Sequence, residues 1–425
     1  MAEAEKELVS SPRRKILRFC LVSLIVVVCV YVTLYASVLM LAARKEADIK
    51  QRLKDLVPNV EQLANQRASV EENETARMMR EWAENKQNFD THTISRSLTT
   101  ESFHLAIQMF LNELPAQRAR YILPFEPFID DQQIYLEHLH SQVDQAPPIS
   151  QMQFDEPGVI NGVNQLYSRG LGLLTLDILV KIKRDQPGAA FRSFKTAWII
   201  TEAYRMHLPL SSRSIAFHYQ SFLVQILREL PSPSSDWRER ISVFNYREEW
   251  KYIQVVDLWQ FLQATREKSG CYSRFIPELL LGKQGQYFAD LIWPFFRLCA
   301  VTTAEIHLGE LEQVWFHHTQ PCWGAKSRSI ETMKNLPLWN TWHEQRYFYN
   351  PFGLVTRLEF ETECTRVILH LKELQQKSPA GKLPITLPKM ESKVCPGEYW
   401  EYQPQPDGTV TLKFSQPIES AEFKF

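Results

Sequence analysis

The run from residue 19 to residue 43 constrains this chain more than any other feature. It holds 25 consecutive residues without a charge, opening Phe19-Cys20-Leu21-Val22 and closing Leu41-Ala42-Ala43. As a helix rising about 1.5 Å per residue it spans roughly 37 Å, enough for a hydrocarbon core of about 30 Å with some tilt. Its Val and Ile content lowers helix propensity in water. Hydrocarbon offers the backbone no other hydrogen-bond partner, so there the helix wins. A cleaved signal peptide is the other reading, but signal cores run only about 7–15 residues, and a long polar stretch follows Arg44. An uncleaved transmembrane helix is expected.

Arg13, Arg14, Lys15 and Arg18 press on the amino-terminal edge of the run, and Arg44 and Lys45 on the other. The charges nearest the segment predict residues 1–18 in the cytoplasm and the main body on the extracytoplasmic, periplasmic side. Lys50, Arg52 and Lys54 level the count further out, but long domains translocate regardless of charge.

Residues 44–98 read as a charged helical stalk, with Leu53, Leu56, Val57, Val60 and Leu63 at helical spacing and Pro58 free to kink or restart it. No a/d heptad survives two turns, so a loosely docked stalk is expected rather than a coiled coil. Asn73-Glu74-Thr75 is the chain's glycosylation sequon, and one match carries little meaning.

The body, 99–378, reads as an irregular antiparallel helical array. Helices are expected at 102–114, 131–143, 159–183, 188–206, 211–230, 250–267, 284–296, 302–313 and 352–376. Asp185-Gln186-Pro187-Gly188 turns the first long pair and Pro209 closes the next; such short connections make neighbouring helices antiparallel. Gly188-Ala189-Ala190-Phe191 through Ala197-Trp198 resembles tetratricopeptide hairpins, although no period of about 34 residues is sustained. From residue 379 to 425 the apolar pattern changes to period two: Trp400 and Tyr402, then Val410, Leu412 and Phe414, then Ala421, Phe423 and Phe425. That predicts a small antiparallel β meander covered by the helical body. The fold class is therefore mainly α: an N-terminal transmembrane helix, the array, and the β tail.

Motifs for chemistry are sparse. With 48 basic and 49 acidic residues the chain lacks the basic excess of a nucleic-acid binder. Gly170-Leu171-Gly172 has no third glycine, and Gly282-Lys283 lacks the rest of a phosphate loop. G-x-S-x-G, H-E-x-x-H and C-x-x-C are absent from the sequence. Glu101-Ser102 resembles the catalytic start of lytic transglycosylases without their glycine-rich continuation.

Glu101-x-x-His104 and Glu137-x-x-His140 each place a carboxylate and an imidazole on one helix face, as di-iron bundles require. Pro115, Pro124 and Pro127 leave no room between the pairs for the intervening helix, so surface or capping roles are expected. His317-His318-x-x-x-Cys322 offers soft ligands but lacks the two further partners of a zinc site. Between Trp315 and Phe352 lie nine aromatic residues with Glu331 and Glu344 among them. Sugar stacking with two-carboxylate hydrolysis is one reading; core filling is the ordinary one. The residues thus assign no catalytic, cofactor-binding or metal site.

Cys271, Cys299, Cys322, Cys364 and Cys395 follow the anchor. In an oxidising compartment they allow at most two disulfides, of unassigned pairing. Cys20 and Cys29 serve as small apolar residues of the anchor.

Asn350-Pro351-Phe352-Gly353, then Gly381-Lys382-Leu383-Pro384-Ile385-Thr386-Leu387-Pro388, Cys395-Pro396-Gly397, Trp400-Glu401-Tyr402 and Asp407-Gly408 form a further pattern. It resembles a loose group of uncharacterised bacterial single-pass membrane proteins with helical bodies. Their tails are similar to the ends of type II secretion pseudopilins. Cys395 stands where such tails carry an acidic residue, and the closing acidic, glycine-rich motif is absent. The resemblance implies an envelope location and no activity.

The expected function is a non-enzymatic protein-binding or scaffold component of the cell envelope, held in the lipid bilayer through residues 19–43. The alternative is a membrane-tethered hydrolase of envelope glycans.

Overall fold

A computed structural model describes residues 12–68, 73–84, 107, 109–111, 121–148, 157–207, 210–230, 235–242, 245–266, 285–317, 352–378, 387–404, 410–415 and 422–424. The chain divides into two compact units, Met1–Pro58 with Leu258–Gly309, and Asn59–Asp257 with Glu310–Phe425.

In the first unit, helix α1 (Pro12–Leu56) runs 45 residues without a break. It is long and apolar enough to cross a membrane. Side chains from Ile16 through Val30 are exposed. Further on, one stripe turns inward: Val38, Ala42, Glu46, Ile49, Leu53 and Val57 are buried. Their spacing of three and four residues marks a single helix face. The expected loose stalk is therefore, as far as Val57, a packed extension of the apolar helix. Val57-Pro58 ends it, and α2 (Val60–Ala68) restarts beyond the proline.

The rest of this unit comes from the last turns of α10 (Tyr246–Arg266) and most of α11 (Gly285–His317). Two helices were expected over the span of α11. The structure has one, 33 residues long with Pro294 inside it. A proline removes one backbone bond and bends a helix, but burial on both sides can hold the helix together, and Trp293, Val301, Ala304 and Leu308 are buried here.

The second unit contains α3 (Glu74–Glu84), a 3-10 turn at Leu123–Phe125, α4 (Glu126–Asp131), α5 (Gln133–Gln145), α6 (Pro157–Lys183), α7 (Pro187–His207), α8 (Leu210–Glu229) and α9 (Ser235–Ser242). Among the described residues α2, the start of α10, the last turns of α11 and the whole of α12 (Phe352–Lys377) belong to it as well. The α6–α7 hairpin is the central pair, with α3 and α8 against α6 and α8 against α12. Its turn carries Asp185 at φ +54°, in the left-handed region. There the Gln186 amide donates to the Lys181 carbonyl at 2.9 Å, the closing bond of a helix C-cap. Pro187 follows as the first residue of α7, where its missing N–H costs nothing.

Aromatic rings lock α7 to α9: Trp237 meets Phe191, Phe194 and Trp198 edge-on at 5.9, 5.0 and 5.5 Å between centroids. The Gly170-Leu171-Gly172 stretch lies within α6, and a Cβ on Gly170 would come 3.0 Å from Met79 Cε of α3. That glycine leaves room for the end of the Met79 side chain.

The tail is an antiparallel sheet in the order β1 (Met390–Glu391), β2 (Tyr399–Pro404), β3 (Val410–Phe414), β4 (Glu422–Lys424). Trp400 pairs with Phe414, Tyr402 with Leu412, and Leu412 with Phe423. The meander is as expected, with the two-residue β1 added. Cys395-Pro396-Gly397-Glu398 turns the chain from β1 into β2. The Glu398 amide donates to the Cys395 carbonyl at 3.0 Å and Gly397 sits at φ +87°. Proline then glycine with positive φ is the signature of a type II turn.

Candidate functional site

Among the described residues three polar constellations in or beside apolar packing bring the most groups together, and each must be asked whether it does chemistry or holds structure.

The first joins α5, α6 and α7. His140, Asp177, Ser193 and Thr196 are all buried. The Ser193 hydroxyl donates to Asp177 Oδ2 at 2.5 Å, and its oxygen lies 3.2 Å from His140 Nε2. Lys181 Nζ donates to Asp177 Oδ2 at 2.6 Å and to Ser193 Oγ at 3.0 Å, while Gln133 Nε2 reaches Asp177 Oδ1 at 3.2 Å. His140 Nδ1 stands 2.7 Å from Thr196 Oγ1. Because the serine proton points at Asp177, the pattern assigns the imidazole proton to Nε2, and Nδ1 is left to accept from Thr196 Oγ1, whose hydrogen it shares with the Arg192 carbonyl 3.2 Å away. Burial pushes the His140 pKa down to about 4, with Lys181 adding to the effect. The ring is therefore neutral at physiological pH.

A serine, a histidine and an aspartate so close together invite comparison with a nucleophilic triad. The order is wrong for it. In a triad the imidazole stands between hydroxyl and carboxylate, taking the proton from one and being oriented by the other. Here the carboxylate takes the serine hydrogen directly and is itself neutralised by a lysine. The arrangement satisfies buried polar groups and pins three helices in one register.

The second constellation fastens the tail to α12. Glu363 is buried and accepts three hydrogen bonds: from Ser392 Oγ at 2.6 Å, the Lys393 amide at 2.5 Å and Trp400 Nε1 at 3.2 Å. The Cys395 amide donates to Ser392 Oγ at 3.0 Å, which extends the chain of bonds into the type II turn. Around it Phe360, Cys364 and Ile368 of α12 pack with Cys395, Trp400, Leu412 and Phe414. Phe360 lies 4.8 Å from the Trp400 ring and 4.9 Å from Phe414. Burial pushes the Cys364 thiol up to about 12, so it packs as an inert small apolar group. Two residues before Glu363 on α12, Glu361 pairs with Arg228 of α8, whose Nε donates to Thr365 Oγ1 at 2.7 Å.

The third lies just beyond the apolar run of α1. Glu46 is buried and pairs with Lys50 at 2.8 Å and Arg297 at 2.7 Å; Lys45 pairs with Glu305. Burial alone would raise the Glu46 pKa, but the two cations hold it below the ordinary carboxylate value. Lys50 and Lys54 each stand 5.3 Å from the Trp259 ring centroid, on a buried indole face.

The residues singled out in the sequence fall into two groups. His140 is buried whereas Glu137 is exposed, so that pair shares no ligand site. Among the described residues no group of three His, Cys, Asp or Glu could hold a metal. Glu101, His104, His318, Cys322, Glu331, Glu344 and Cys271 lie outside the described residues. So does the side chain of His317. Cys20, Cys29, Cys299 and Cys364 are free thiols. Cys395 is disulfide-bonded, to a partner outside the described residues. The sequon has a structural use: Asn73 Oδ1 accepts from the Ala76 amide at 3.0 Å as the N-cap of α3, and Asn73 Nδ2 donates to the Pro147 carbonyl at 2.7 Å.

Sequence reading missed Asp177, Ser193 and Glu363. Asp177 and Lys181, one turn apart in an otherwise apolar stretch of α6, were the available signal for the first network. Comparison with protein-family models, curated proteins and solved structures finds no match for this chain.

Proposed function

We propose that this is a membrane-anchored extracytoplasmic protein, a non-enzymatic scaffold or protein-binding component of the cell envelope. The observation that carries the reading is α1 itself. Its uncharged run presents apolar side chains outward along most of its length, and the same helix then enters a packed unit without a break. A free linker would let the packed unit wander; a continuous helix ties that first unit to the bilayer. The body fits a structural role, because the buried charges and hydroxyls of the second unit hold helix to helix and tail to helix. The disulfide at Cys395 favours an oxidising compartment for the body. The resemblance of the tail to pseudopilin ends points to the same side.

The test is affinity capture of the full chain from gently solubilised envelopes, with the glycan-hydrolase alternative assayed in parallel. A stoichiometric protein partner, together with no release of sugar from envelope polysaccharide, is the expected result. Turnover that disappears in Glu331→Gln or Glu344→Gln while folding persists would overturn it.

A further inference from the structure

We propose that the face of α11 formed by Phe295, Phe296, Leu298 and Cys299 rests on the headgroup–acyl boundary of the bilayer that α1 crosses. This rests on reading α1 as the membrane anchor, and it adds a second lipid contact.

The height of this face follows from one ion pair. Arg297 reaches Glu46 at 2.7 Å, and Glu46 is three residues past the last residue of the uncharged run. Three residues of helix are about 4.5 Å. Headgroup layers are roughly 5–8 Å thick on each side of the hydrocarbon, so the Arg297 guanidinium is held within one, and the backbone at 297 lies an arginine side chain away from it. Residues 295–299 extend only two positions to either side, and share that height whichever way α11 runs.

Which side faces outward follows from the helix period. At about 100° per residue, Phe295, Phe296, Leu298 and Cys299 occupy an arc of about 160° opposite Arg297. Trp293, Val301, Ala304 and Leu308 lie on the Arg297 side and are buried, and the Phe296 edge of the arc is flanked by Thr303 and His307, buried as well. On the outer arc Cys299 is exposed and Phe295, Phe296 and Leu298 are half-buried. From Leu291 to Ala304 the chain carries a single charge, Arg297, and that charge is turned inward to Glu46. Water would be a poor neighbour for such an arc, whereas the lipid boundary suits a helix with an apolar outer face and an aromatic ring, Phe295, near its centre. The burial of Val38, inside the uncharged run, shows that packing on α1 already reaches membrane height.

Site-specific photocrosslinking of the full chain in phosphatidylethanolamine–phosphatidylglycerol vesicles tests this. A benzophenone side chain replaces Phe296, Leu298 or Cys299 in turn. Leu24 in the uncharged run serves as the lipid-facing reference, and exposed Ile134 of α5 as the aqueous one. Phospholipid adducts at 296, 298 and 299, roughly tenfold above those at 134, are expected for an interfacial face. Adducts at 24 with none at the three α11 positions overturn this inference and leave the anchor standing. No adduct at 24 overturns the anchor, and the interface contact with it. Adducts at the α11 positions to a second polypeptide in place of lipid assign the face to a protein contact and overturn the proposal.

Discussion

Glu363 of α12 accepts the indole N–H of Trp400 of β2 at 3.2 Å, in a buried pocket where Ser392 and the Lys393 amide supply two more donors. A four-stranded sheet with one two-residue strand is too small to stand alone. Helix α12 gives it an apolar floor, and the carboxylate gives it a register. Glu363→Gln places an amide N–H₂ where a donor already points, and should cost about 1–3 kcal/mol. Hydrogen exchange checks this: the amides of β2 and β3 should exchange faster while those of the α6–α7 hairpin do not change. Unaltered protection in the tail would show that apolar packing alone holds it.

His140 makes the fold acid-sensitive in a defined window. Its folded pKa of about 4 lies below its ordinary value of 6.5, so between those values the unfolded chain binds the extra proton. The resulting stability is full above about pH 6.5 and falls as pH drops towards 4, by roughly 3 kcal/mol at most. Urea unfolding of wild type and His140→Gln at pH 7 and pH 5 isolates this contribution. The variant should be less stable at pH 7 and lose less between the two pH values than wild type does. Equal losses would contradict the assignment.

Asp185 occupies the left-handed position that glycine fills without steric cost. Asp185→Gly should therefore raise stability by about 1 kcal/mol, read as a higher denaturant midpoint. The opposite substitution logic applies at Gly397, φ +87°, where Gly397→Ala should lower tail stability by about 1 kcal/mol and speed exchange in β2.

Glu46→Gln removes the anion between Lys50 and Arg297 and leaves two half-buried cations facing each other. Loss of one partner from such a cluster costs about 3–5 kcal/mol. Limited proteolysis should then cut within α11 faster than in wild type, with the α6–α7 hairpin unaffected. The same carboxylate, held below its ordinary pKa, gives stability that is present above pH 4.5 and lost as pH falls further.

The features legible in the sequence were those set by local pattern: the uncharged run, the proline-glycine turn of the α6–α7 hairpin and the period-two tail. The polar networks were not, because their members lie far apart in the chain. His140, Asp177 and Ser193 sit on three helices, and only packing brings them together. The gap expected between 296 and 302 was misread as well: α11 runs unbroken through it, and through Pro294, where neighbouring burial outweighs the bond the proline removes. The inward stripe from Val38 to Val57 was obscured by the charges between its members, Arg44, Lys45 and Asp48 among them.

The most direct test of the whole account is the side of the membrane on which the body lies. Alkaline phosphatase fused after Phe425 of the full chain, expressed in a bacterial host, folds only where disulfides form. High phosphatase activity in the membrane fraction is the predicted result. A silent phosphatase fusion, with an active cytoplasmic reporter at the same position, would contradict it.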